Sequence, residues 1–289
     1  MKRRITPAAV AVGSAMLIAV SACSQSPQPV QNLGAVRLSA SETLQQSAKS
    51  AEDVSSYRAQ LALDFGTSNE GSGSVKGSMV VHQKPQLASD VTLDQINVRG
   101  QDVPGGARII LVGQTAYIKV DMLNKLVGGT KPWIKLDLTQ AGKEAGVNVD
   151  QFLAQAQQMD LQSSVRLLTS SKDVAKVGSE TVGGVDTTHY KGTFTVAEAV
   201  KLLSPEVQQR VQGQLTEVKD MKFDAWIDAQ NLPRKVEMNG GANTGTFKLT
   251  TLFTSFNEAA EVTAPPADQV GDLPKRLNGT DGAAGGTTS

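Results

Sequence analysis

Apolar and polar residues alternate along most of the chain between residues 57 and 256, and a period of two is typical of half-buried β-strands. In residues 57–65 the odd positions are apolar, as at Leu61 and Phe65, while most even positions are polar, as at Arg58 and Asp64. The same pattern predicts strands in these further segments: 75–81, 87–93, 107–112, 115–120, 132–138, 173–181, 185–195, 219–228, 233–238 and 246–256.

Other segments place their apolar residues at helical spacing: 41–54, 150–159, 162–168, 197–203 and 205–215. Ser41 is the expected N-cap of the first helix, because a serine oxygen can accept a hydrogen bond from the first helical turn. Consecutive strands joined by short turns predict an antiparallel sheet, and the helices must cover one of its faces. The expected fold class is α+β, a large curved antiparallel sheet with helices across its concave face.

The first 23 residues have the pattern of a lipoprotein signal peptide. Three basic residues at positions 2–4 precede an apolar stretch, residues 8–20, which is too short to span a membrane. Small residues then lead to Cys23, as in a lipobox. We therefore expect cleavage after residue 22 and a diacylglyceryl group on the Cys23 sulfur, which would anchor the chain in a membrane. The alternative is an ordinary secretory signal followed by an incidental free cysteine.

Composition divides the remainder into a folded body between two polar ends. Residues 23–38 hold the expected lipidated cysteine and a polar, proline-containing tether. Residues 39–262 contain all of the predicted strands and helices and form the expected binding domain. Residues 263–289 are rich in Pro, Gly and Thr, which predicts a disordered C-terminal tail.

Charge and residue usage argue against several classes of function. The 28 basic and 28 acidic residues balance, whereas nucleic-acid binding requires a basic excess or stripe. His82 and His189 lie on separate predicted strands and give no metal-ligand spacing. Asp228 is expected to open a turn at residues 229–231, a catalytic role being the less favoured interpretation. We therefore expect a binding protein with no catalytic residue, no metal and no cofactor.

The order of several sequence blocks resembles a known family. The lipobox and tether lead through a helix into SYRAQLALDF, and PWIKLDL, VGGVDTTHYKG and FDAWIDAQNLPRKV follow. In this order the blocks resemble actinobacterial lipoproteins of the LppX/LprG/LprF group and, more distantly, periplasmic carriers and sensors of the LolA and RseB type. The resemblance implies a half-open β-barrel closed by helices around an apolar cavity, which in that group takes up acyl chains of lipids or glycolipids.

Apolar residues on the predicted strands are the candidates for lining such a cavity: Met79, Val81, Leu87, Val91, Leu93, Ile110, Val112, Met221, Phe223 and Ile227. A filled hydrophobic core explains the same pattern, and the sequence leaves both interpretations open. The low aromatic content, 4%, favours a cavity lined by flexible aliphatic and methionine side chains.

The function expected from these features is that of a lipoprotein anchored through Cys23 on the extracytoplasmic side of the cell membrane. It would bind lipids or glycolipids non-covalently in its apolar cavity and transfer them, as a monomer that has no nucleic-acid partner. An envelope protein is a further possible partner. The alternative function is a sensor or regulatory lipoprotein, similar to RseB, that binds a membrane protein.

Overall fold

A computed structural model describes residues 38–67, 71–145, 161–195, 197, 198, 201, 220–242 and 245–272. The described residues all belong to one compact unit, Leu38–Ser289. The predicted signal peptide, Cys23 and nearly all of the tether lie outside the described residues. So do the predicted helices at 150–159 and 205–215, and most of the one at 197–203.

The described elements are mainly strands. The α-helices are α1 (Ala40–Ser50), α2 (Asp121–Val127), α3 (Leu138–Ala145) and α4 (Leu161–Leu168), and 3₁₀ turns cover Ala51–Asp53 and Ala267–Gln269. The strands are β1 (Ser56–Thr67), β2 (Gly71–His82), β3 (Ala88–Val98), β4 (Gln101–Asp102), β5 (Ala107–Val112), β6 (Thr115–Lys119), β7 (Trp133–Asp137), β8 (Ala175–Val182), β9 (Val185–Thr195), β10 (Asp220–Asp228), β11 (Pro233–Ala242), β12 (Gly245–Phe256) and β13 (Val270–Asp272).

The strands form one open sheet in the order β13-β7-β6-β5-β3-β2-β1-β12-β11-β10-β9-β8, with β4 paired to β3 beside this path. Sequence neighbours pair as antiparallel hairpins, and the β8–β9 turn uses Gly183 and Gly184, both at positive φ. The predicted α+β architecture around one large sheet is confirmed. The sheet is mixed rather than wholly antiparallel, because β13 runs parallel to β7.

Helix α1 begins one residue before the serine that was expected to cap it. Ser39 is the N-cap: its Oγ accepts from the Glu42 backbone N–H at 3.2 Å, and the Glu42 carboxylate accepts from the Ser39 N–H at 2.7 Å. This reciprocal capping box satisfies two backbone donors and lowers the pKa of Glu42. The prediction of Ser41 was wrong because only Ser39 has a glutamate three residues later.

Helices α1 and α4 pack on one face of the sheet, here called the helix face. Leu44 and Leu168 contact Phe223 of β10 in one buried cluster. A second cluster joins the end of α1 and its 3₁₀ turn to β1, β12 and Val165 of α4. Both helices therefore cover the part of the helix face formed by β1 and β9–β12.

The opposite face of the sheet, here called the far face, carries a third cluster. Ile110, Trp133 and Val262 are buried there together, and a ring nitrogen of His82 lies 2.8 Å from the Ala260 carbonyl oxygen. The chain then continues to β13 at the edge of the sheet. The start of the predicted tail is thus structured, because the side chains of Val262 and Val270 pack in this cluster. The Pro- and Gly-rich composition of the segment did not predict these contacts. Residues 273–289 lie outside the described part of the chain.

Among the helices that the structure describes, none is both long enough and apolar enough to span a bilayer.

The capping box predicts a difference between two neighbouring serines. Replacing Ser39 by alanine should lower the free energy of unfolding by about 1 kcal/mol, because an N-cap acceptor is lost. Replacing Ser41, within the first turn of α1, should change it by less than about 0.5 kcal/mol. Urea denaturation of the two variants measures both values, and equal destabilisation would contradict the assignment of Ser39 as the cap.

Candidate functional site

The helix face has a filled part and a more open part. Beneath α1 and α4 the side chains are packed tightly, and Leu44, Leu168 and Phe223 are each exposed by 1% or less. The Tyr190 hydroxyl adds a buried hydrogen bond to Thr43 of α1 at 3.3 Å. This part of the face is a conventional hydrophobic core.

Beyond the two buried clusters, which Met79 and Met238 border, the helix face stays apolar but becomes only partly buried. The strand register places two rows of apolar side chains across it, and we call these residues the aliphatic patch: Met238, Leu249, Leu63, Val75 and Ile96 in one row, and Met79, Val91, Ile109 and Ile118 in the other. All of them are partly or largely accessible, and Ile109 retains 39% of its surface. The first row continues from Phe223 of the filled core, which pairs with Met238.

Two phenylalanines border the aliphatic patch near the ends of the strands. Phe65 and Phe247 are cross-strand neighbours, and each ring lies over a glycine of the adjacent strand. A Cβ atom at Gly73 would lie 2.4 Å from the Phe65 ring, and one at Gly240 would lie 2.5 Å from the Phe247 ring. Both strands therefore need glycine, since any side chain there would displace the aromatic ring.

Seven of the ten predicted cavity residues lie on the helix face: Met79, Val81, Val91, Leu93, Met221, Phe223 and Ile227. Phe223 and Ile227 are buried in the filled core, and Met221 packs against it. Val81, Val91 and Leu93 are partly buried away from that cluster. The structure thus brings the seven onto one surface, where Met79 and Val91 belong to the aliphatic patch and the others lie in or beside the core or next to the patch.

The other three predicted cavity residues lie elsewhere. Ile110 is buried on the far face beside Trp133 and Val262, and Val112 packs against the same cluster. Leu87 precedes β3 and is not part of a strand. The placement of Ile110 and Val112 was wrong because β5, with the sequence ARIILV, is apolar on both faces, so alternation could not separate them.

Several patch residues were missed by sequence reasoning, among them Leu63, Val75, Ile96 and Leu249. Each occupies an apolar position in an alternating strand, so the signal was present in the sequence. Strand pairing was needed to show that these positions share a face with Met79 and Val91.

The far face holds a hydrogen-bonded network around His189. Its two ring nitrogens lie 3.0 Å from a Glu180 oxygen and 2.7 Å from an Asp224 oxygen, and the ring stacks on Trp226 at 4.2 Å. The indole N–H of Trp226 donates to Glu180 at 2.9 Å, which is the main cause of the lowered pKa of that carboxyl group. His189 is thus held between two carboxylates by its ring nitrogens.

A second carboxylate on this face is held between two lysines. Glu237 Oε1 lies 2.6 Å from Lys235 Nζ, and Glu237 Oε2 lies 3.1 Å from Lys248 Nζ. Burial alone would raise the pKa of Glu237, but the hydrogen bonds and charges of the two lysines outweigh it and lower the pKa.

Asp228 has the turn-forming role expected from the sequence. Its buried carboxylate accepts from the backbone N–H groups of Gln230 and Leu232, both at 2.9 Å, and from Arg234 Nε at 2.6 Å. Asn231 completes the turn at φ 60°. Within the part of the chain that the structure describes, no three potential ligands converge to hold a metal ion.

The division of the helix face predicts unequal effects of the same substitution. Leu168→Ala should lower the free energy of unfolding by about 2–5 kcal/mol, because it leaves a cavity in the filled core. Leu63→Ala should cost about 1 kcal/mol or less, since its side chain is already partly accessible. Chemical denaturation of the two variants tests this, and a similar loss in both would show that the aliphatic patch is packed like the core.

Comparisons with other sequences found relatives in Streptomyces. No protein-family model matches the chain. The chain is 30% identical over 170 residues to an uncharacterized 31.2 kDa Streptomyces griseus protein of the rplA–rplJ intergenic region, covering 56% of this chain and 54% of that protein. It is 29% identical over 160 residues to a Streptomyces coelicolor protein that is named as a proposed lipoprotein. That match covers 54% of this chain and 47% of the Streptomyces coelicolor protein. The chain therefore spans about half the length of the curated relatives it matches.

Comparison with solved structures found lipoproteins of mycobacteria. LprF from Mycobacterium bovis is 13% identical, with a TM-score of 0.49, over 79% of this chain and 97% of that chain. LppX from Mycobacterium tuberculosis is 16% identical, with a TM-score of 0.41, over 78% and 98%.

Proposed function

We propose that the chain is a cell-envelope lipoprotein that holds the acyl chains of a lipid or glycolipid on its aliphatic patch and transfers them. One observation carries this proposal: the apolar rows of the helix face continue beyond the filled core but are no longer fully buried. Soluble proteins rarely expose a large contiguous apolar surface unless something binds there.

The chemistry of the aliphatic patch suits an acyl chain. Its members are aliphatic or methionine side chains, which adapt to a flexible hydrocarbon more readily than aromatic rings do. Each methylene buried there is stabilised by about 0.8 kcal/mol relative to water. Because a methylene in the membrane interior gains a similar amount, transfer between membrane and protein costs little net free energy.

The proposed anchor is the lipidated Cys23, which would keep the domain beside the extracytoplasmic surface of the membrane. The lipobox pattern supports it, and so does the Streptomyces coelicolor relative, whose name describes it as a proposed lipoprotein. The tether from Cys23 to Leu38 is 16 residues long, so it can span at most about 55 Å when fully extended. That reach lets a monomeric domain turn its aliphatic patch towards the bilayer.

The polar groups that could have suggested catalysis have structural partners. The Asp228 carboxylate accepts hydrogen bonds from two backbone N–H groups and from Arg234. Both ring nitrogens of His189 lie within hydrogen-bonding distance of carboxylate oxygens. These contacts support a binding function in preference to an enzymatic one.

Lipid binding should depend on the face to which a polar residue is added. Leu63→Asn should reduce the amount of lipid that copurifies with the chain, because a polar amide in the aliphatic patch must be desolvated when an acyl chain binds. Ala62→Asn introduces the same side chain at the next residue, on the far face, and should leave bound lipid unchanged. Native mass spectrometry of the full chain, purified in detergent from a Streptomyces host, measures both.

The lipid hypothesis fails if the wild-type chain carries no lipid, or if the Leu63 and Ala62 variants retain equal amounts. In either case a sensor that binds a membrane protein would become the better hypothesis. Thermal unfolding of each variant shows whether a loss of lipid reflects a loss of folding.

Membrane anchoring should depend on Cys23 alone. In the variant Cys23→Ala the acceptor sulfur is missing, so the protein should move from the membrane fraction to the soluble or secreted fraction and should not incorporate radiolabelled palmitate. Fractionation and labelling of the wild-type and variant chains in the same host measure this. A variant that stays in the membrane fraction would contradict the proposed anchor.

A further inference from the structure

A row of polar side chains crosses the far face directly behind the aliphatic patch. The strand register aligns six residues: Lys222, Asn239, Lys248, Asp64, Ser74 and Asn97. Lys222 is next to Phe223 of the filled core, and each of the other five is next to a member of the first apolar row. Because neighbouring strands lie about 4.8 Å apart, the row extends for about 24 Å. We call it the polar row.

The polar row lines a groove. An open cavity of about 810 Å³ is formed by its side chains together with Ser72, Thr246 and the backbone of several glycines. A second open groove of about 730 Å³ lies on the same face, lined by Gln60, Lys76, Ser78, Lys235 and Thr250 among others. The register places these residues further along the same strands, so the two grooves are neighbours.

Glycine makes the floor of the first groove accessible. Gly66 lies on the far face, and a Cβ atom added there would meet only Thr246 Oγ1, at 3.9 Å. The backbone of Gly66 does not have the positive φ that would exclude other residues. A side chain at this position would therefore occupy the groove without straining the strand.

The charges of the two grooves nearly balance. Four lysines face three carboxylates in and between them: Lys222, Lys248, Lys76 and Lys235 against Asp64, Asp94 and Glu237. A polyanion would need a basic excess. An apolar ligand would strip water from these groups without replacing their hydrogen bonds.

Donors, acceptors and apolar surface occur together in the first groove. The Asn239 amide can donate and accept, and the Ser and Thr hydroxyls can do both, whereas the Asn97 amide already donates to Asp102 and accepts from the Gly100 N–H. The lysine stems supply the apolar contact. A sugar ring needs this combination, because it presents hydroxyl groups at its edge and C–H groups on its faces.

We propose that the polar row binds a neutral oligosaccharide, extended across the strands on the face opposite the aliphatic patch. The length of the row accommodates several sugar residues in succession. This site is independent of the proposed lipid function, since the ligand carries no acyl chain and contacts the other side of the sheet.

The test uses the full chain in a detergent that contains no sugar. Neutral hexasaccharides of glucose, mannose, galactose and N-acetylglucosamine are titrated by calorimetry, and saturation-transfer NMR identifies the bound sugar. Wild-type protein should bind at least one of them. Gly66→Leu, which fills the groove, should weaken binding by at least about tenfold, a loss of about 1.4 kcal/mol. Asn239→Ala should also weaken it.

Gly178→Leu is the matched control. Gly178 lies on the edge strand β8, a Cβ atom there meets nothing within 4 Å, and its backbone φ is also ordinary. This variant introduces the same side chain away from the groove and should bind like the wild type. Urea denaturation of both leucine variants confirms that they fold.

Three results would overturn the proposal. The first is that none of the neutral hexasaccharides binds to the wild-type chain. The second is equal binding by wild type and Gly66→Leu. The third is preferential binding of polygalacturonate, which would assign the groove to an anionic polymer. Because none of these measurements involves lipid, the lipid hypothesis stands or falls separately.

Discussion

Phe223 of β10, Leu44 of α1 and Leu168 of α4 are buried together in one cluster, and this packing positions the two helices on the sheet. This cluster holds both helices over the strands near β10, and it fills that part of the helix face completely. The same row of side chains continues through Met238 and Leu249 to Leu63. Because α1 and α4 are anchored at Phe223, the aliphatic patch lies beside their packing site, where these side chains remain partly accessible.

Alternation along the strands gives the two faces opposite chemistry at the same place in the sheet. Leu63 and Asp64 are consecutive, yet one belongs to the aliphatic patch and the other to the polar row, and the neighbouring strands repeat the arrangement. A shift of one residue in any pairing would exchange the two sets, so the register is strongly specified. One sheet can therefore offer an apolar surface on one side and a groove of hydrogen-bonding groups on the other.

Strand positions could be predicted because each depends on a local pattern. The predicted segment 185–195 matches the structure, and Asp228 forms the turn that its sequence context indicates. Errors arose where a local pattern was consistent with two environments. Strand β5 is apolar on both faces because Val262, far away in the sequence, returns to cover Ile110. No property of residues 107–112 alone distinguishes that covered face from the helix face.

The sequence by itself determined the α+β class, most strand boundaries, the lipobox pattern at Cys23 and the scarcity of catalytic groups. These features depend on residue type and short-range order. Only the tertiary structure decided which apolar residues are core and which form the aliphatic patch. It also showed that six polar residues far apart in the sequence make one row across six neighbouring strands. Such assignments depend on strand pairing and on where the helices pack, and both are set by contacts between residues far apart in the chain.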